Sequence, residues 1–323
     1  MNAQPAAPAP TNTGSVLAGY TWSISVATVL AGALVLTLGA PSPLASAIIM
    51  VTAVALIGLP HGAYDLEVAR RLFAGRLGKA WWLLFGGAYL ALAALGLGLW
   101  LALPWVALTM LLVGGAIHWG LDDLECDNLG RPRRTWLALS RGAIPVASPM
   151  AFHAETVSTI FAAILGAEAV DASHVQIAGF AWLLAACPGI VASVLWARSH
   201  STASRLRVLV EPIVLLGWFF VAPPILAFTL YFCFWHSVRH SLRSAMAASP
   251  NTSVGSAILE YLKASALPTV LTWVLALAAV LAWSGFGDAV QVSWSIVFIG
   301  LFALTIPHVT LEWFEAREHS TPT

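Results

Sequence analysis

The stretch PPILAFTLYFCFWHSVRH (223–240) decides the class of fold, because it joins an uncharged apolar run to a pair of histidines. The run before His236 carries no charged side chain and is typical of a helix inside a bilayer. His236 and His240 are four residues apart, so on a helix they project from one face, one turn apart. Two imidazoles at this spacing can reach one metal ion, as in the HExxH motif of zinc proteases. The alternative is a pair of interfacial histidines beside Arg239 and Arg243.

The composition of the whole chain agrees with a membrane protein. Of its 323 residues 59% are hydrophobic and only 9% are charged, and apolar runs of nearly twenty residues recur. We therefore predict an all-α polytopic membrane protein. The net charge is zero and no basic stripe occurs, so nucleic acid is not expected as a partner. The three cysteines form no CxxC pair, which argues against a disulfide framework and a thiolate metal site.

Apolar segments predict a bundle of about eight to ten transmembrane helices. The ten segments are 20–40, 43–60, 80–103, 104–121, 136–153, 175–197, 207–222, 224–240, 266–284 and 291–311. The fifth and seventh are short, so eight spans is the alternative. Residues 1–19 are rich in Pro and Ala and are expected to be a disordered tail. Residues 20–314 are interpreted as one transmembrane domain that carries the candidate catalytic site, and 315–323 as a C-terminal tail.

Charge placement predicts the orientation of the helices. With ten spans and the N-terminus inside, all 15 Lys and Arg residues lie on the cytoplasmic side, which is the usual positive-inside asymmetry. Both termini are then cytoplasmic. Gly86, Gly87, Gly114 and Gly115 are expected to permit close packing between helices.

Five of the nine histidines fall at the cytoplasmic ends of the even-numbered spans. They are His61 in GLPHGAYD (58–65), His118 in GGAIHWGLDD (114–123), His236, His240, and His308 in LTIPHVTLEW (304–313). Because these ends share one membrane depth, the pattern predicts one metal site near the cytoplasmic face.

Neutral imidazole suits Fe, Cu, Zn and Ni, and several histidines with vacant positions suit Fe(II) oxygen chemistry, whose usual triad includes a carboxylate. Asp65, Asp122 and Asp123 follow histidines by four or five residues and are candidates to orient a ligand imidazole. Their alternative interpretation is a solvated helix end. Pro60 and Pro307 directly precede histidines, where a proline opens the helix end beside a site or simply stops the helix.

Aromatic residues near these histidines predict a pocket for an apolar substrate drawn from the bilayer. The candidates for its wall are Trp119, Tyr231, Phe232, Phe234 and Trp235. Ordinary helix packing is the alternative.

Several of these motifs resemble the Brp/Blh family of bacterial and archaeal β-carotene 15,15′-dioxygenases. The matching stretches are GLPHGAYD (58–65), HWGLDD (118–123), 223–240 and LTIPH (304–308), and FHAETVSTIF (152–161) is similar to the family's middle segment. The resemblance implies an integral Fe(II) enzyme of the inner (cell) membrane. It would split the central double bond of β-carotene, or of a related carotenoid, with O2 to give two molecules of all-trans-retinal.

Carried over by position, the resemblance implies that the same five histidines are the ligand candidates. Asp65 stands at the position of the family's acidic residue after the first histidine. Trp119 stands where Phe is expected, and the register of the second acid, Asp122 or Asp123, is ambiguous. His153 matches a family histidine at the opposite face, where a structural role is expected. His174, His200 and His319 are interpreted as loop or tail residues.

Two other classes of function stay open. Some relatives assist opsin maturation, so one alternative is a non-catalytic accessory protein that binds carotenoid or retinal, with an opsin as partner. The other is a transporter that relays protons through histidines, but such a relay needs them spread through the membrane depth.

β-Carotene is about as long as the hydrocarbon core is thick, roughly 30 Å. A site near one face therefore requires sideways entry between helices.

Overall fold

The computed structural model of the chain describes residues 11–126, 134–196, 202–283 and 288–318, and these residues are helical apart from short connections. The first helices are α1 (Thr11–Leu38), α2 (Pro43–Ala53), α3 (Leu59–Ala63), α4 (Asp65–Leu77), α5 (Trp81–Ala102), α6 (Pro104–Cys126) and α7 (Arg134–Phe152). They are followed by α8 (Ala154–Leu165), α9 (Ala172–Trp196), α10 (Thr202–Val221), α11 (Pro224–Thr229), α12 (Val238–Ala248), α13 (Val254–Trp283) and α14 (Ala289–Glu318). The all-α prediction is confirmed.

Within the described residues, six helical stretches are long and apolar enough to cross a membrane. They are Thr13–Leu38, Pro43–Ala102, Pro104–Leu124, Ala172–Leu195, Val254–Ala282 and Ala289–Glu318, and Val208–Val221 is a shorter apolar helix. The second stretch holds two of the predicted spans, 43–60 and 80–103, which α4 separates. The predicted spans 136–153 and 224–240 coincide with α7 and with the run from α11 to α12.

Both predicted tails are shorter than expected within the described residues. Helix α1 begins at Thr11, so residues 11–19 are helical, whereas residues 1–10 lie outside the described part. Pro10 is the last proline of the N-terminal run, so a helix can start directly after it. Helix α14 continues to Glu318 because its final turns consist of good helix formers, and 319–323 lie outside the described part.

Close packing of α6 on α7 depends on two glycines that the sequence did not single out. A Cβ atom at Gly120 would overlap the backbone of Ala138, and one at Gly142 would overlap the backbone of Ala116. The expectation for four other glycines is wrong. Added Cβ atoms at Gly86, Gly87 and Gly114 would enter open space. One at Gly115 would meet only Trp119, one turn along its own helix.

Helix α8 lies where the sequence predicted a connection on the outer face, residues 154–174. Its 12 residues are too few to span a bilayer, so a search for spans of about twenty residues missed it. Val157, Ile160 and Ile164 are buried along one face of the helix. The helix ends at Gly166, which adopts a left-handed conformation with φ of 64°.

Two wide helical turns of π type lie beside the predicted histidines. One covers Val54–Gly58, directly before α3, and the other covers Leu230–Ser237, between α11 and α12. The two segments pack against each other. A Cβ atom at Gly58 would lie 2.7 Å from Phe232 Cε1, so the close approach needs glycine. Such turns are frequent at functional sites because they redirect side chains.

Candidate metal centre

The five predicted ligand histidines converge in one buried cluster. The ring centre of His61 lies 5.2 Å from that of His236, 5.6 Å from that of His240 and 5.3 Å from that of His308. The ring of His118 lies 4.9 Å from that of His236 and 5.2 Å from that of His308. The cluster therefore joins α3, α6, α14 and the run from the second π segment into α12.

Two aspartates hold histidines of other helices rather than the histidine that precedes them in sequence. Asp65 Oδ1 accepts a hydrogen bond from Nδ1 of His308 at 2.9 Å. Asp122 Oδ1 lies 3.2 Å from His240 Nδ1, and its Oδ2 lies 3.6 Å from His236 Nδ1. Each aspartate thus ties two helices together and fixes the orientation of an imidazole.

The contacts with Asp65 and Asp122 involve the Nδ1 atoms of the histidines and leave their Nε2 atoms available. The Nδ1 atom of His61 contacts the carbonyl oxygen of Gly58, which only accepts, so this nitrogen carries the proton. The same holds for His308 beside the Asp65 carboxylate. The Nε2 atoms of His236 and His308 are buried and find no hydrogen-bond partner within the described ranges. Buried imidazole nitrogens that make no hydrogen bond fit the position of a metal ligand.

Glu312 belongs to the cluster and was missed in the sequence. Its Oε2 atom lies 2.9 Å from His118 Nδ1, and its Oε1 atom lies 3.6 Å from His308 Nε2 and 3.7 Å from His240 Nδ1. One potential ligand atom each from His118, His308 and Glu312 all lie within 4.8 Å of one another. Glu312 is four residues after His308, the spacing that separates His61 from Asp65, so the same helical argument could have found it.

The third predicted acid, Asp123, does not contact the histidines. Its Oδ1 atom lies 3.3 Å from Nη1 of Arg239, which also lies 3.6 Å from Glu211 Oε2. Asp123 is rotated about 100° around the axis of α6 relative to Asp122, so its carboxylate faces a neighbouring group of buried charges. Arg243 contacts Oδ1 of Asp122 and balances that buried carboxylate, and its Nη2 atom also lies 3.2 Å from His240 Nδ1.

A cavity of 380 Å³ adjoins the cluster, and its lining includes four of the five histidines together with Trp119 and Phe232. The expectation for three other aromatic residues, Tyr231, Phe234 and Trp235, is wrong, because none of them lines this cavity. Tyr231 and Trp235 are buried against α1 and α10, and Trp235 Nε1 donates to Thr28 Oγ1 at 3.1 Å. Phe232 shares a face with His236, and its sequence neighbours point elsewhere.

Two further histidines of the described residues, His153 and His174, lie apart from the cluster. His153 Nε2 lies 3.0 Å from the carbonyl oxygen of Phe219, a contact that joins the junction of α7 and α8 to α10 and fits the structural role expected for it. His174 is exposed beside Asp171. His200 and His319 lie outside the described residues.

Fold and site together define a helical membrane protein with a buried histidine and carboxylate cluster beside an apolar cavity. The β-carotene 15,15′-dioxygenase family model matches residues 52–315, and the chain belongs to this family. It is 31% identical over 291 residues to a probable β-carotene 15,15′-dioxygenase Blh of Halobacterium salinarum, covering 84% of each chain. It is 27% identical over 276 residues to a β-carotene 15,15′-dioxygenase of an uncultured marine bacterium, covering 83% of this chain and 93% of the relative. No solved structure matches the chain.

Proposed function

We propose that the protein cleaves the central double bond of β-carotene with O2 to give two molecules of all-trans-retinal. The observation that carries the proposal is the convergence of five histidines and Glu312 beside an apolar cavity. Membership of the β-carotene 15,15′-dioxygenase family supports the same reaction. The reaction balances without a further reductant, since one carbon–carbon double bond breaks and each new aldehyde takes one oxygen atom.

The proposed cofactor is Fe(II). Two histidines and one carboxylate form the usual donor set of non-haem Fe(II) oxygenases, and His118, His308 and Glu312 form a group of this kind in the described part of the chain. His61, His236 and His240 complete the donor set around it. All six groups cannot bind at once, because O2 chemistry needs an open position on the metal. Bound Fe(II) would supply the redox activation of O2.

The protein's own residues position and shield the reacting groups. Asp65 and Asp122 lie against the Nδ1 atoms of His236, His240 and His308 and so direct the three rings. Trp119 and Phe232 form part of the cavity wall beside the histidines. A wall of apolar and aromatic side chains suits a polyene without polar groups and keeps bulk water from the cleavage site.

We place the protein in the inner (cell) membrane with the metal site near the cytoplasmic face and both termini in the cytoplasm. The distribution of Lys and Arg supports this orientation. Retinal is apolar and would leave into the bilayer, where an opsin is the proposed recipient.

Expression in bacteria that accumulate β-carotene tests the proposal. The colour of the host should bleach, and retinal should be the main product in extracts. A variant with Ala at both His236 and His240 should leave the colour unchanged. If the wild-type host keeps its colour while carotenoid co-purifies intact with metal-loaded protein, the protein is instead a carotenoid-binding accessory protein.

A further inference from the structure

The residues that line the cavity beside the histidines come from two sets of helices, and the space along each set is called an arm. The inner arm is lined by side chains of α6, α7, α8 and α11, and the outer arm by side chains of α3, α4, α5 and α13. Helix α14 contributes to both arms. His61 on α3 and His118 on α6 both lie beside His236, so the histidine cluster joins the two sets of helices and lies between the arms. A long molecule that occupies both arms therefore presents an internal bond to the histidine cluster.

The two arms differ in their access to the membrane. In the outer arm Leu90 and Leu271 are 65% and 55% exposed, which marks an opening between α5 and α13 toward the lipid. In the inner arm every described lining residue is buried or half-buried, including Leu108, Met150 and Phe298. The inner arm is therefore closed, and a substrate reaches it through the outer arm.

Helix α8 closes the end of the inner arm. Its apolar face points Val157, Ile160 and Ile164 into the cavity, and all three are nearly fully buried. Behind them Trp100 Nε1 donates to the carbonyl oxygen of Ile164 at 3.1 Å and fixes the end of α8 to α5. The arm thus ends at a wall that other helices hold in place.

The depth of the inner arm matches half of the proposed substrate. Ten residues of α6 separate the lining residue Leu108 from His118, and ten residues of α14 separate Phe298 from His308. At 1.5 Å per residue each interval is about 15 Å long. β-Carotene is roughly 30 Å long, comparable to the thickness of the hydrocarbon core, so one half of it fills such an arm.

We propose that the inner face of α8, and Ile160 above all, is an end wall that determines which double bond of the polyene lies at the histidine cluster. The inference rests on the proposed function. One ring of the carotenoid stops against Val157, Ile160 and Ile164, and the central bond then lies at the histidines. The other half remains in the outer arm. Central cleavage follows from the depth of one closed arm and requires no contact with both ends of the substrate.

The test is the product pattern of purified Ile160→Phe with β-carotene, compared with that of Thr159→Phe. Thr159 is the adjacent residue on the exposed face of α8, so its substitution adds the same ring outside the cavity. Ile160→Phe shortens the arm and displaces the substrate outward. Retinal formation should fall about 100-fold, since a misplacement of roughly 1 Å costs this much, and two aldehydes of unequal length should appear. Thr159→Phe should give retinal alone at the wild-type rate.

A second variant, Ile160→Ala, deepens the arm without adding bulk and covers the case in which Ile160→Phe fails to fold. It should also give unequal aldehydes, because the ring then stops further from the histidines. Retinal as the only product of either folded Ile160 variant would overturn the end-wall assignment. So would unequal products from Thr159→Phe. A wild-type protein that forms no aldehyde at all would instead contradict the proposed function.

Discussion

Asp65 Oδ1 accepts a hydrogen bond from His308 Nδ1 at 2.9 Å, although 243 residues separate the two in the chain. The same carboxylate accepts a hydrogen bond from the Tyr89 hydroxyl at 3.1 Å. One buried acid thus joins the start of α4 to α5 and α14. Its position makes the orientation of His308 dependent on a residue near the other end of the sequence.

Replacing Asp65 with Asn should weaken metal binding without abolishing the fold. The amide keeps the shape of the side chain but removes the charge that holds the His308 imidazole, a change that typically costs 10–100-fold in metal affinity. Titration of metal-depleted protein with Fe(II) measures the effect. Asp171→Asn, at an exposed site far from the histidines, is the control, and equal affinities of the two variants would contradict the assigned role.

His236→Ala should abolish stoichiometric iron. The purified wild-type protein is expected to hold about one iron per chain, since the five rings form a single cluster. Metal analysis after purification measures the content. His174→Ala serves as control because that side chain is exposed and distant from the cluster. Two irons per chain in the wild type, or full occupancy in His236→Ala, would contradict a single site.

Glu312→Gln tests whether the carboxylate is part of the metal centre. It lies against three histidines, so loss of its charge should lower Fe(II) affinity by about 10–100-fold. Glu315→Gln, one turn further along α14, provides a matched control on the same helix. An unchanged affinity in Glu312→Gln would leave the histidines as the complete ligand set.

Gly86→Phe and Gly87→Phe form a matched pair for the opening between α5 and α13. Added Cβ atoms at both positions meet open space, but only Gly86 lines the outer arm. Gly86→Phe should therefore slow β-carotene cleavage while leaving iron content unchanged, and Gly87→Phe should cleave at the wild-type rate. Equal rates for the two variants, measured in detergent, would show that the substrate does not enter through this arm.

Topology reporters test the orientation proposed from the charges. Fusions after residues 75, 135, 202 and 318 should all report the cytoplasm, and one near residue 170 should report the outside. The histidine cluster requires the ends of α3 and α6 to lie at the same face. A fusion after residue 135 that reports the outside would therefore contradict the predicted arrangement.

Much of the site was readable from the sequence because helical periodicity and membrane depth are both local properties. Five histidines at the ends of even-numbered spans share a depth, and a bundle brings such ends together. Asp65 and Asp122 were found by the same reasoning, at four residues from a histidine. Glu312 lies at the same spacing from His308, so the sequence could have predicted it in the same way.

The tertiary structure decided which side chains meet across helices. Sequence spacing places Asp65 beside His61, yet its partner is His308, because the rotation of each helix about its axis depends on packing against its neighbours. The π segments turn Phe232 and His236 toward the cavity and leave Tyr231 and Trp235 in the packing against α1 and α10. Contacts with α5, α9 and α14 hold α8 in place beside the cavity. Composition and period determine that a helix forms and how deep it lies, whereas the pairing of its faces depends on contacts between distant parts of the chain.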